Sequence, residues 1–291
     1  MASPPRLVSR TAAALSERRA RLDALLARVT GPPGGEALHD LRVALRRIAA
    51  LARLTGDVPG AGDGKALRVA ARDLRRALSV RRTQDVARSL LLTRFRQDPR
   101  RRTVAARLAA RLAKEGDPGP SPERTRALLA RLRRALTRRD LAFAQLHDPL
   151  TGAADPLAEK MLARSVRRRL RRAAKRLRDA GTPGPAGLHP ARILARDLRY
   201  GLEFAGDAMP APEALVPLLT EFQDAAGRAH DLSELIGEVR RLAGRSRAAD
   251  RREALRLLPA LLAAEERAVA RAQGCSRRLL ARLDLEELEW S

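Results

Sequence analysis

The sequence predicts an all-α protein with two similar halves, on three observations. Apolar residues make up 45% of the 291-residue chain, and most are Ala and Leu, both strong helix formers. Alternating Val, Ile and Thr stretches, which favour strands, are nearly absent. One basic helical pattern also occurs twice, 150 positions apart.

The first copy runs from His39 to Leu54. At 3.6 residues per turn, His39, Arg42, Arg46 and Arg53 fall within an arc of about 60°. Leu38, Leu41, Leu45, Ile48 and Ala52 lie on the opposite side. The helix therefore carries a basic rail about 21 Å long on the back of its apolar face. In the second copy, His189, Arg192, Ile193, Arg196 and Leu198 repeat His39, Arg42, Val43, Arg46 and Ile48. Pro190 replaces Asp40. Such a repeat implies two halves, each contributing one rail.

In chain order, residues 6–30 read as one helix with Leu15, Leu22, Leu25, Leu26 and Val29 inward. Gly and Pro at 31–35 end it. The first rail helix spans about 36–54 and the loop 59–64 follows. One long helical stretch is expected over 65–97, then a shorter one from Pro99 to about 115. A further helix over 122–147 closes the first half, residues 1–150. The second half, 151–291, opens with a helix over 156–180 on the stripe Leu162, Val166, Leu170, Ala174 and Leu177. Between Arg164 and Arg178 that helix has nine basic residues and no acid. The second rail helix, about 188–207, follows a Gly/Pro loop. Helical stretches at 213–243 and 248–284 complete the chain before an acidic tail. Each half reads as a bundle of about four or five helices.

The formal net charge is +25 and the pI about 11.7, which points to a polyanionic partner. Only four of the 59 basic residues are lysine. The arginine preference fits a GC-rich genome, but the uncompensated charge does not follow from it. The six aromatics, Phe95, Phe143, Tyr200, Phe204, Phe222 and Trp290, are too scattered to stack bases. Cys275 is the only cysteine, which excludes an intrachain disulfide and a cysteine-based zinc site. No signal-peptide run or membrane-spanning stretch is visible, so the expected location is cytoplasmic.

The motifs His39-x-x-Arg42-Val43-x-x-Arg46-Arg47-Ile48 and His189-x-x-Arg192-Ile193-x-x-Arg196-x-Leu198-Arg199-Tyr200 resemble those of the CHAD family, the conserved histidine α-helical domain. Arg82-x-x-Asp85-Val86 and Gln223-Asp224-x-x-Gly227-x-x-x-Asp231 are similar to its second motif in each half. The resemblance covers essentially the whole chain. It implies two helical bundles related by a pseudo-two-fold axis, a basic central cavity where they meet, and binding of inorganic polyphosphate with association to polyphosphate granules. The Glu-x-Glu-x-Lys signature of the triphosphate tunnel enzymes, to which some members are fused, does not occur. Ser79 and Thr83 stand where the family pattern suggests Gly and Asp. Asp197 and Thr220 stand where it is often basic.

Arginine suits polyphosphate because its planar fork donates two hydrogen bonds to phosphate oxygens and stays charged. Arg42, Arg46, Arg192, Arg196 and Arg199 are the leading candidate ligands. Arg53 and Tyr200 on the rails, Arg72, Arg76 and Arg82 in the first half, and Arg168, Arg171 and Lys175 in the second extend the set. His39 and His189 read either as phosphate donors or as structural residues at helix starts.

Nonspecific nucleic-acid binding is the first alternative. A metal-dependent phosphohydrolase, suggested by His-Asp pairs at 39–40, 147–148 and 230–231, is the second. Four histidines are few for such a centre, and Pro190 breaks its repeat. The segment 60–66 resembles a phosphate-binding P-loop, but Pro59 and Ala66 occupy two of its defining positions. The expectation is a non-catalytic protein without cofactor or metal.

Overall fold

The structure, a computed structural model, describes residues 7–28, 35–56, 58, 60–114, 121–147, 153–206, 215–246 and 248–285. Every helix or strand among them is a helix, so the fold is all-α as the composition predicts. In order these are α1 (Leu7–Arg28), α2 (Gly35–Leu54), α3 (Gly64–Ala77), α4 (Ser79–Arg94), α5 (Pro99–Lys114) and α6 (Pro122–Ala144). A β-bridge joins His147 and Ala154, and then come α7 (Pro156–Asp179), α8 (Leu188–Ala205), α9 (Leu215–Gly244), α10 (Ala248–Leu255) and α11 (Leu258–Leu285). A 3-10 turn at Pro185–Gly187 leads into α8.

Local chemistry explains where these helices begin. Asp63 accepts from the Ala66 amide at the start of α3. Ser121 does the same for Arg124 at α6, and Asp155 for Leu157 at α7, each followed by Pro in the first turn. Helix α1 has no acid in its first turn. Its Leu7 and Val8 amides instead donate to Glu159 of α7, at 2.6 and 2.9 Å.

Two stretches that read as continuous are interrupted. The helix expected over 65–97 breaks at Leu78, whose carbonyl accepts from Arg42 Nη1 at 3.0 Å. The stretch over 248–284 breaks at 256–257, because Pro259 has no amide to donate to the Leu255 carbonyl and its ring would crowd that group in a continuous helix.

Two apolar clusters hold the molecule together. The larger draws on α1, α2, α3, α6, α7, α8, α9 and α11, and so crosses residue 150. The smaller joins α4 and α5 to the C-terminal part of α9, to α10 and to the start of α11. The hairpin of α4 and α5 thus packs on elements from the other side of residue 150.

Helices α2 and α8 meet within the larger cluster. Arg53 contacts Asp197 at 2.8 Å and Arg47 contacts Glu203 at 4.0 Å. Moving back along α2 therefore means moving forward along α8, so the helices run in opposite senses. They cross near Ala50 and Tyr200, which line one small cavity together.

The end of α2 is fixed by two neighbours. Ser165 Oγ of α7 donates to the Leu54 carbonyl at 3.1 Å. Arg139 of α6, only 1% exposed, donates to the carbonyls of Thr55 and Gly62. Helix α8 comes close to α7 because Gly201 has no side chain; a Cβ there would lie 2.3 Å from Leu170 Cδ2.

Candidate polyanion-binding site

The α2–α8 crossing gathers arginines unevenly. On one side, Arg53 of α2 and Arg196 of α8 share a single carboxylate, Asp197. Arg53 Nη2 donates to its Oδ1 at 2.8 Å, and Arg196 Nη2 to the same oxygen at 3.1 Å. Arg68 of α3 and Arg169 of α7 stand beside Arg53. Arg75 of α3 stands beside both Arg53 and Arg196. Two arginines thus share one carboxylate, and three more from α3 and α7 crowd beside them. Burial pushes the Arg53 guanidinium below the usual arginine value; Asp197 opposes this, while Arg196, Arg68 and Arg169 add to it. Burial also lowers Arg75, with Arg196, Arg53 and Arg76 reinforcing the effect. Crowded cations of this kind create a field that favours an anion.

The other side of the crossing is closer to neutral. There Arg18, Arg47, Glu17 and Glu203 line a cavity of about 190 Å³ with Tyr200 and Phe204. Arg199 contacts Glu203 at 3.5 Å, donates to Thr220 Oγ1 at 3.2 Å and lies over the Tyr200 ring. Tyr200 itself is only 6% exposed, and Arg47 approaches the same ring at 6.0 Å.

His189 belongs to the cationic side. It lies exposed in the first turn of α8, with its ring centroid 4.4 Å from that of His230 on α9. Burial lowers its pKa from the ordinary 6.5, and His230, Arg192 and Arg196 lower it further against Glu234. Arg192 donates from Nε to the Gln223 carbonyl at 3.1 Å. Its guanidinium rests on Gly227, where a Cβ would stand 3.0 Å from Nη2. The glycine of the second motif is the residue that lets the arginine of the first reach α9.

The remaining expected residues are distributed more widely. His39 is exposed on α2, on the far side of the crossing from His189. Each histidine lies eleven residues, about 17 Å, from the crossing along its own helix. Arg42 is 7% exposed and holds the Leu78 carbonyl. Arg46 is half-buried on α2. Arg72 is exposed and bonded to Asp73, and Arg76 is exposed beside Arg75. Arg82 lies in α4, but its side chain falls outside the described residues. Arg168 and Arg171 line a groove on a different face of α7 from Arg169, and Lys175 pairs with Asp179 at 2.9 Å.

Sequence reasoning missed Arg68, Arg75, Arg169 and His230. Helical phase could have found the first three. Arg68 and Arg75 are one heptad apart, next to the buried Ala71. Arg169 falls between Leu162 and Ser165 around the axis, at the margin of the buried stripe. His230 sits inside the second motif. Among the described residues, no three His, Cys, Asp or Glu side chains group to hold a metal ion. No helix among them is long and apolar enough to cross a membrane.

Fold and site together describe an all-helical protein that concentrates arginines where two similar helices cross. The CHAD domain family matches residues 13–240, and the chain belongs to that family. The crystal structure of the CHAD domain from the plant Ricinus communis is similar at 20% identity and a TM-score of 0.56, over 99% of this chain and 94% of that one. PptA from Streptomyces chartreusis is similar at 18% identity and a TM-score of 0.58, over 97% of this chain and 100% of that one. Both likenesses concern the fold. No curated protein sequence matches the chain.

Proposed function

We propose that this protein binds inorganic polyphosphate without transforming it, and that binding brings it to polyphosphate granules. One observation carries the reading: Arg53 of α2 and Arg196 of α8 share the single carboxylate of Asp197, and Arg68 and Arg75 of α3 and Arg169 of α7 crowd beside them. A chain with a charge on each phosphate and no bases meets what such a cluster offers, many fixed donors and no aromatic platform. The CHAD family's general link to polyphosphate supports the same ligand. The ligand enters on the cationic side, where Arg53, Arg75, Arg169 and Arg196 contact phosphates and His189 with His230 lies at one end. Arg42 and Arg192 shape the site by holding α2 to the α3–α4 junction and α8 to α9.

The pseudo-two-fold reading draws support from the two contacts at the crossing. Adding 150 to Arg53 and Arg47 gives Glu203 and Asp197, so the repeat offset exchanges one ion pair for the other.

Competition at physiological salt tests the function. Labelled long-chain polyphosphate is displaced by unlabelled polyphosphate, duplex DNA, RNA or heparin. Polyphosphate is expected to compete best. Arg53→Gln/Arg75→Gln/Arg196→Gln is expected to lose that preference as well as affinity. Equal competition by all polyanions, with the variant weakened only in proportion to its lost charge, would leave a general cationic binder. Phosphate release from polyphosphate with Mg²⁺ or Mn²⁺ would make the protein an enzyme instead.

A further inference from the structure

We infer that Asp197 sets the specificity of the crossing site: its carboxylate stands in for a phosphate oxygen, so that a single phosphate gains little there and a ligand needs several phosphates to displace it. The inference rests on polyphosphate being the ligand of that site. Three guanidinium N–H groups converge on Asp197 Oδ1, from Arg53 Nη2 at 2.8 Å, Arg196 Nη2 at 3.1 Å and Arg196 Nε at 3.4 Å. An anionic oxygen gripped by two arginines, one through its fork, is the arrangement these residues offer to phosphate. The repeat does not call for an acid here, since the position 150 residues earlier is Arg47.

The neighbouring charges give this carboxylate its weight. Of the charges that act most strongly on Arg53 and Arg75, Asp197 is the acid; Arg196, Arg68, Arg169 and Arg76 are cations. Other acids of the packed helices are engaged elsewhere. Asp73 of α3 holds Arg72 and Arg131, Glu159 of α7 holds the amides of Leu7 and Val8, and Glu203 of α8 faces Arg47 and Arg199. Asp197 is tethered, so it meets the two guanidinium groups at a high local concentration. It is also within reach of water: 27% of its side chain and 34% of that of Arg53 are exposed. An incoming anion can therefore reach the donors, and the released carboxylate can turn to solvent. Orthophosphate brings one anion in exchange for another and then lies beside the carboxylate it displaced. A chain that extends to Arg75 and Arg68 offsets the release of Asp197 with further contacts.

Isothermal titration calorimetry at physiological salt tests this with orthophosphate, tripolyphosphate and long-chain polyphosphate as titrants. The proteins are wild type, Asp197→Asn, Asp197→Ser and Glu203→Gln, each checked for unchanged helicity by circular dichroism. Asn keeps an oxygen for Arg53 and Arg196 while losing the charge, and Ser is a second uncharged replacement. Glu203→Gln removes an equal charge from the other side of the crossing. Wild type is expected to bind the long chain and to give no measurable heat with orthophosphate. Both Asp197 variants are expected to bind tripolyphosphate about tenfold more tightly and to bind orthophosphate measurably. Glu203→Gln is expected to change tripolyphosphate binding less than about threefold. Equal tightening by Glu203→Gln overturns the proposal, because net charge alone would then account for it. Asp197 variants that gain nothing for tripolyphosphate or orthophosphate overturn it too, as does wild type that binds orthophosphate as tightly as they do. Each of these failures leaves the long chain bound and the polyphosphate reading intact. Wild type that does not bind the long chain removes that reading, and the role of Asp197 with it.

Discussion

A proton at His189 works against the free protein and in favour of the bound one. Its folded pKa lies below 6.5, from burial first and then from His230, Arg192 and Arg196. The unfolded chain therefore takes up this proton more readily. The associated stability is fully present above pH 6.5 and is lost as pH falls through the lowered value. A bound polyanion reverses the field and draws the proton back. Affinity should rise between pH 7 and 6, with proton uptake visible as a buffer-dependent binding enthalpy. His189→Gln/His230→Gln should flatten the profile; an unchanged slope would make both histidines structural. Arg139 is a different kind of residue, a buried cation held at a pKa of about 10 by burial, with Asp63 opposing. Arg139→Met leaves the carbonyls of Thr55 and Gly62 without their donor and should cost about 3 kcal/mol in urea unfolding. Neither role was legible in the sequence. Arg139 is one arginine among several on α6, and only the folded positions of Thr55 and Gly62 show which carbonyls it serves. The value of Arg192 was legible from the repeat, but its use against Gly227 was not, since the two residues are far apart in sequence.

At the scale of elements, helix ends are tied by residues from other helices. Glu159 caps α1, Ser165 and Arg139 fix the end of α2, and Arg10 Nε donates to the Phe204 carbonyl at the end of α8 at 2.7 Å. Glu159→Gln should lower stability by about 1 kcal/mol and speed amide exchange in the first turn of α1. Gly206 follows α8 with φ of +46°, and a Cβ there would stand 2.1 Å from Arg10 Nη2. Gly206→Ala should therefore cost about 2 kcal/mol, measurable as a lower thermal midpoint. The helices themselves were readable because Ala/Leu stripes of period 3.6 mark them along the chain. The break at Leu78 was not, because a distant arginine contributes to it and no proline marks it. The break before Leu258 carried its signal in Pro259.

Across the whole molecule, the repeat supplied the two crossing helices but not the inequality of the two sides. That inequality comes from Asp197, Glu203, Glu17 and the arginines of α3 and α7, whose meeting is a matter of packing. It sets an expectation for salt. Log affinity for polyphosphate should fall linearly with log salt, and Arg53→Gln/Arg68→Gln/Arg75→Gln/Arg196→Gln should reduce the slope by about 3 if each arginine releases one counterion. Charge removed from the neutral side, as in Arg18→Gln/Arg47→Gln, should change it much less.

The opposed senses of α2 and α8 bear on what kind of message the site can read. A nucleic acid strand has a direction, since its two ends differ, and a site that follows it must distinguish forward from backward. Linear polyphosphate reads the same from either end. Two similar helices laid head to tail likewise have no common forward direction. On the proposed reading, either terminus of the chain can lead across the cationic side of the crossing. The site has no need to orient its ligand before holding it, and any stretch of a long chain will serve as well as any other.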